Sequence, residues 1–198
     1  MYPEKRDVAD RILNIPQKRT QKALVGFLYE EEILKVFKSV DLKKKDGLRD
    51  YVLLHLLYDS GARASEVAML KLDYLNAQEE TLAICGKGNR YRIIRLEIKT
   101  VQLLRLYIKK YRVNPRPPYR DDLFISQRGE ALTRHGIYRI CRKYLEKALK
   151  KKRLKNINPV PSFRHSCAVR MLYRGESVSD IQNHLGHDNT QSSTLYLH

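Results

Sequence analysis

Between Thr133 and Lys150, the apolar residues Ile137, Ile140, Cys141, Tyr144, Leu145, Ala148 and Leu149 recur at spacings of three and four. An α-helix, with 3.6 residues per turn, gathers such a set on one side. Its other sides carry Arg134, Arg139, Arg142, Lys143, Lys147 and Lys150. One face must therefore seal a core while the others present dense positive charge. Thr133 is placed to cap the first turn.

Other segments follow the same logic. Residues 1–22 are mixed and polar, carry Pro3 and Pro16, and read as a linker or N-terminal arm. Residues 23–198 read as one folded unit. Glu30, Glu31 and Glu32 suit the positive end of a helix that turns Ile33, Leu34 and Phe37 inward. Gly47 interrupts the chain, and 51–58 is nearly all apolar, as in a buried helix. Gly61 ends that helix, and Ser65 is the expected cap of the next. The β-branched stretches 81–85 and 92–96 flank Gly86-Lys87-Gly88-Asn89, a hairpin pattern, with 123–125 as a third short strand. Val101, Leu104, Ile108 and Tyr111 follow helical spacing before a loop forced by Pro115, Pro117 and Pro118. Pro159 and Pro161 are expected to break the chain before a helix over 162–174, and Ser177 to Asp180 is a capping pattern that starts the last helix. The expected fold class is mainly α with a small antiparallel β-sheet (α+β).

A chain of 198 residues can bury a core without a metal or disulfide staple. Its three cysteines, Cys85, Cys141 and Cys167, form no CxxC pair and read as reduced thiols of a cytosolic protein. No apolar run approaches the ~18 residues of a membrane span, and the N-terminus lacks a signal-peptide apolar region. A cytoplasmic location, near the nucleoid, and no membrane partner are expected.

The net charge is +17, and residues 101–155 hold 17 of the 39 basic residues against four acidic ones. A field this localised suits a polyanion, and double-stranded DNA is the leading partner. A solvated basic face kept for solubility is the plainer alternative.

Four spots fit neither a core nor an ordinary surface. Arg63 lies just past the Gly61 turn, beside apolar helices. Lys87 sits at the hairpin tip between two glycines. Arg164 and His165 follow Phe163 in an otherwise apolar helix. His187 stands after Leu185-Gly186, with Tyr196 nine residues on. Each has an ordinary account by itself. Arg63 can pair with Glu66, Lys87 can be an exposed turn lysine, and Arg164 a solvated helix-start arginine. His187 can complement a helix dipole, and Tyr196 can be one core tyrosine of 13.

Together, Gly61-Ala62-Arg63-Ala64-Ser65-Glu66, Gly86-Lys87-Gly88-Asn89, Ser162-Phe163-Arg164-His165-Ser166, Leu185-Gly186-His187-Asp188 and Tyr196 resemble the tyrosine recombinase family, which includes phage integrases and Xer-like recombinases. The segments 27–32 and 132–138 are similar to the family's at those points, so the resemblance runs from about Leu24 to the end. It implies a catalytic domain that cleaves and rejoins DNA through a 3′-phosphotyrosine, with no metal or other cofactor, as a dimer or tetramer on DNA and often on a mobile element. By this resemblance Tyr196 is the nucleophile and Lys87 the general acid. Arg63, Arg164 and His187 bind the phosphate, and Glu66 orients Arg63. Arg90, Arg92, Arg134, Arg139, Arg142 and Lys143 are the expected DNA-contacting cations.

The chain departs from the family in three respects. Pro161 stands where a histidine is usual, three residues before Arg164, and a proline has no side-chain proton donor or acceptor. Residues 1–22 are too few for the usual DNA-clamping domain. The chain ends two residues past Tyr196, where the family usually continues. A topoisomerase of type IB shares this chemistry but relaxes DNA without exchange, and a DNA-binding remnant with weak catalysis is a further reading; compact size and the Leu-Gly-His element favour the recombinase.

Overall fold

The computed structural model describes residues 26–186. Helix α1 (Glu30–Lys38) opens as expected, with the Glu32 carboxylate accepting the Tyr29 N–H at 3.0 Å. Helix α2 (Gly47–Ser60) is buried along almost its whole length, and Val52, Leu53, Leu54, Leu56 and Leu57 are wholly buried. Gly47 starts this helix rather than interrupting it, and an added Cβ there would collide with the Asp41 carbonyl. The helix ends at Gly61, whose φ of 58° is left-handed and favours glycine.

Helix α3 (Ala64–Ala68) follows at once. Its cap is Arg63 and not Ser65: the Glu66 carboxylate accepts the Arg63 N–H at 2.8 Å. An acid at the third helical position thus replaces the expected serine hydroxyl.

The sheet has strands β1 (Leu75–Asn76), β2 (Thr81–Cys85) and β3 (Tyr91–Arg95), antiparallel and in that order. Leu82 faces Ile94 in register, and both are buried. The hairpin is where its pattern placed it, but the third strand is β1. Residues 123–125 are buried and only Ile125 pairs, in an isolated bridge with Ala131.

Helix α4 (Ile98–Leu106) runs into a π-turn at Tyr107–Tyr111, whose Tyr107 hydroxyl accepts the Ile125 N–H at 3.1 Å. Helix α5 (Arg134–Ala148) is the amphipathic helix of the sequence, capped by Thr133 Oγ1 on the Gly136 N–H at 3.1 Å. Its Ile137, Cys141, Tyr144 and Leu145 are buried, and Arg134, Arg139, Arg142, Lys143 and Lys147 are exposed. A short helix α6 (Lys151–Leu154) leads to helix α7 (Pro159–Tyr173). Both prolines lie inside the first turn of α7 instead of breaking the chain before it. The first N–H groups of a helix have no intrahelical acceptor, so proline there sacrifices no hydrogen bond. Helix α8 (Val178–Leu185) starts on Ser177, whose hydroxyl accepts the Asp180 N–H at 3.1 Å.

One large apolar core joins α1, α2, α4, α5, the sheet and the first half of α7. A separate small cluster, Cys167, Ala168, Met171, Ile181 and Leu185, docks α8 on the second half of α7. Burying Ile181 and Leu185 contributes about 1.5–3 kcal/mol each. That contact fixes the end of α8 against the α2–α3 turn. Among the described residues no helix is long and apolar enough to cross a membrane.

Candidate active site

The site is built where three helix ends meet. Arg164, on the first half of α7, is 9% exposed. Its Nη1 donates to the Gly61 carbonyl at 2.7 Å and its Nη2 to the Leu185 carbonyl at 2.7 Å. Those acceptors belong to the C-terminal ends of α2 and α8, where helix dipoles are negative. They offset much of the cost of burying a guanidinium and fix its plane. Gly61 is required here twice over, since an added Cβ would lie 2.4 Å from Leu185 Cδ2.

Arg63 is held differently. Its side chain is 48% exposed, and its Nη1 donates to Glu66 Oε1 at 2.8 Å. Glu66 is 4% exposed and also receives Arg92 Nη1 at 3.1 Å and Nη2 at 2.9 Å. Burial pushes the Glu66 pKa up. The hydrogen bonds from Arg92 and the Arg63 N–H, with the charge of Arg92, outweigh it and hold the carboxylate below its usual range.

Arg63 and Arg164 line one cleft of about 590 Å³ together with Arg134, His135, Tyr138 and Pro161. A second cleft, of about 540 Å³, holds Arg63, Glu66, Arg90, Arg92 and Gly186. Arg63 and Ser65 belong to both, so the start of α3 is the wall between them.

The structure therefore brings Arg63, Arg164 and Arg134 to one cleft and Glu66 to its back. Arg90 is exposed at the second cleft. Arg92, grouped in the sequence with cations that contact DNA, instead points inward onto Glu66. Arg139 is exposed beside Lys143, whose Nζ lies 3.4 Å from Asp50 Oδ2, and Arg142 pairs with Glu146 at 2.7 Å. Lys87 occupies the hairpin tip, beside Gly88 with φ 72°. His187 and Tyr196 lie outside the described residues.

Sequence reasoning missed His135 and Tyr138 as cleft residues. The signal was their position one and four residues past Arg134, in the first turn of a helix already assigned. His165 is half-buried, and burial followed by the charge of Arg164 lowers its pKa. Cys167 is fully buried, which pushes its thiol up to about 12. Among the described residues no three His, Cys, Asp or Glu side chains gather as metal ligands.

Residues 26–198 match the model of the phage integrase family. The chain is 32% identical to a tyrosine recombinase XerC of Pelotomaculum thermopropionicum, over 100% of this chain and 65% of that protein. It is 31% identical to a tyrosine recombinase XerD of Staphylococcus haemolyticus, over 98% and 65%. The chain thus spans slightly less than two thirds of the length of these relatives. Its structure is similar to that of XerH site-specific recombinase bound to a palindromic difH substrate in a post-cleavage complex, with a TM-score of 0.74 and 27% identity over 88% of this chain and 50% of that one. It is also similar in fold to XerA recombinase, with a TM-score of 0.71 and 24% identity over 92% and 61%.

Proposed function

The chain belongs to the phage integrase family, and from that premise we propose that it is the catalytic part of a site-specific recombinase, cutting and rejoining double-stranded DNA through Tyr196. The observation that carries this reading is the convergence of Arg63 and Arg164 on one cleft, with Arg134 at its edge. A phosphodiester under attack builds negative charge on its non-bridging oxygens. Two planar guanidinium groups, each already fixed by protein acceptors, can meet that charge without rearranging.

The Tyr196 hydroxyl oxygen bonds to phosphorus and gives up its proton to solvent water, and the bond from phosphorus to the 5′ oxygen breaks. Lys87 delivers a proton to the leaving oxygen, producing a free 5′-hydroxyl and a 3′-phosphotyrosine. A 5′-hydroxyl reverses the step and reseals the strand. Because the phosphotyrosine conserves the bond, neither ATP nor a metal is needed. His187 hydrogen-bonds the phosphate. Exchange between two duplexes requires more than one copy of the chain on DNA, a dimer or tetramer, and fits a cytoplasmic protein of a mobile element.

The test is a nicked suicide substrate, from which the cleaved end diffuses away. The wild-type chain should accumulate a covalent DNA adduct, with or without chelator. Tyr196→Phe should lose the adduct and keep DNA affinity, since only one hydroxyl is gone. DNA retarded without any wild-type adduct would instead indicate a binder.

A further inference from the structure

We propose that Arg92 is a positioning residue of this site, clamping the hairpin, the start of α3 and the end of α8 into one register; this rests on the recombinase reading above. Its guanidinium makes contacts to two other chain segments at once. Both terminal nitrogens sit on Glu66, at 2.9 and 3.1 Å, and Nε donates to the His184 carbonyl at 3.0 Å. Gly186 presses on the same group, for an added Cβ there would lie 2.9 Å from Arg92 Nη1. The side chain is 15% exposed.

Each tied segment leads directly to a residue of the proposed chemistry. Glu66 holds the Arg63 guanidinium at 2.8 Å. Arg92 itself stands on β3, five residues from Lys87 across the hairpin turn. His184 and Gly186 end α8, and His187 is the next residue in the chain. Arg92 therefore acts through others: it sets the distance between the arginine that binds the phosphate and the hairpin that carries the general acid.

The clamp has a titratable partner, which separates positioning from mere structural support. Glu66 faces Arg63 from its own helix start and Arg92 from β3, with Arg90, Tyr91 and Cys85 on the same cleft and the His184 ring turned away toward the Asp59 carbonyl at 3.2 Å. Without Arg92, its hydrogen bonds and charge no longer oppose burial, and the Glu66 pKa rises from its lowered value. Glu66 is then protonated at mildly acidic pH and loses its grip on Arg63, while at higher pH the grip returns.

The experiment compares single-turnover adduct formation on the suicide substrate by wild type, Arg92→Met, Arg92→Lys and Arg92→Met/Glu66→Gln from pH 5.5 to 8.5, at saturating DNA. Arg92→Met should cleave about 10²-fold more slowly than wild type at the acid end. That deficit should shrink toward tenfold at the alkaline end, with DNA affinity nearly unchanged. Arg92→Lys, which keeps a charge but not the fork, should fall between. The double variant should be slow with no extra pH dependence. If Arg92→Met does not fold, the pH slope of Arg92→Lys carries the test. A deficit equal at every pH, or a loss of affinity with a salt slope smaller by about 0.9, would overturn the proposal in favour of a structural or a phosphate-contacting role. Absence of a wild-type adduct would overturn the recombinase reading instead.

Discussion

Two pairs of carboxylate and guanidinium flank the Gly61 turn, and they are used differently. Before the turn, Asp59 is 5% exposed and binds Arg170 at 3.0 Å, while its other oxygen accepts the Glu97 N–H at 2.8 Å. Arg170 also binds Glu97 at 2.8 Å and lies 4.5 Å over the Tyr58 ring. After the turn, Glu66 is as deeply buried and equally well bonded, but one of its partners, Arg63, stays half exposed in a cleft. The chemistry is the same in both. In the first, the arginine is spent on joining α2, α7 and the start of α4. In the second, a carboxylate aims an arginine at the space where a ligand would sit. What differs between the two pairs is the exposure of one guanidinium, and not the presence of an ion pair.

Removing the first carboxylate should give the largest effect. Asp59→Ala leaves the buried Arg170 with one of its two carboxylate partners, which costs about 3–5 kcal/mol. Urea denaturation should show the midpoint falling sharply, while the cleavage rate per folded molecule changes little. A stable Asp59→Ala protein with slow cleavage would erase the contrast between the two pairs.

Gly61→Ala probes the turn between them. A left-handed alanine costs about 1–2 kcal/mol, and the new methyl must displace Leu185. Both carbonyls that hold Arg164 belong to the displaced segments. Thermal unfolding should shift by a few degrees, whereas cleavage by the folded fraction should fall about tenfold or more. Equal losses in both measurements would mean that the two regions are not separable.

The chain's local features were legible in its sequence because their causes are local. The amphipathic period of α5, the Thr133 and Ser177 caps, and the hairpin each depend on residues a few positions apart. The ordered set Arg63, Lys87, Arg164, His187 and Tyr196 was read from a resemblance to a family, and of these the structure brings Arg63 and Arg164 to one cleft. The pairing of Arg92 with Glu66 was not legible, since nothing near Arg92 in sequence reveals a carboxylate 26 residues away. The same is true of Asp59 and Arg170, 111 residues apart. Strand β1 has two residues, too few to show alternation. The α7 prolines misled because the rule that proline ends helices reverses in the first turn.

The smallest expected effect concerns the cleft wall. Pro161 faces the same cleft as Arg63 and Arg164, where the family resemblance expects a histidine. It is the third residue of α7, and Pro159 independently fixes the helix start. Pro161→His therefore keeps a helical backbone and adds an N–H that needs no intrahelical acceptor. Losing one proline from the unfolded chain's restraints costs about 0.4–1 kcal/mol of stability. In return the cleft gains a group able to donate to a phosphate oxygen or carry a proton, assistance typically worth 10²–10⁴-fold when it is well placed. The site retains its two arginines, and His135 already lines the cleft, so the gain should fall below that range, about tenfold in single-turnover cleavage at equal DNA saturation. A Pro161→His protein that binds equally and cleaves no faster would show that Arg63 and Arg164, as held here, already supply what the missing imidazole would have given.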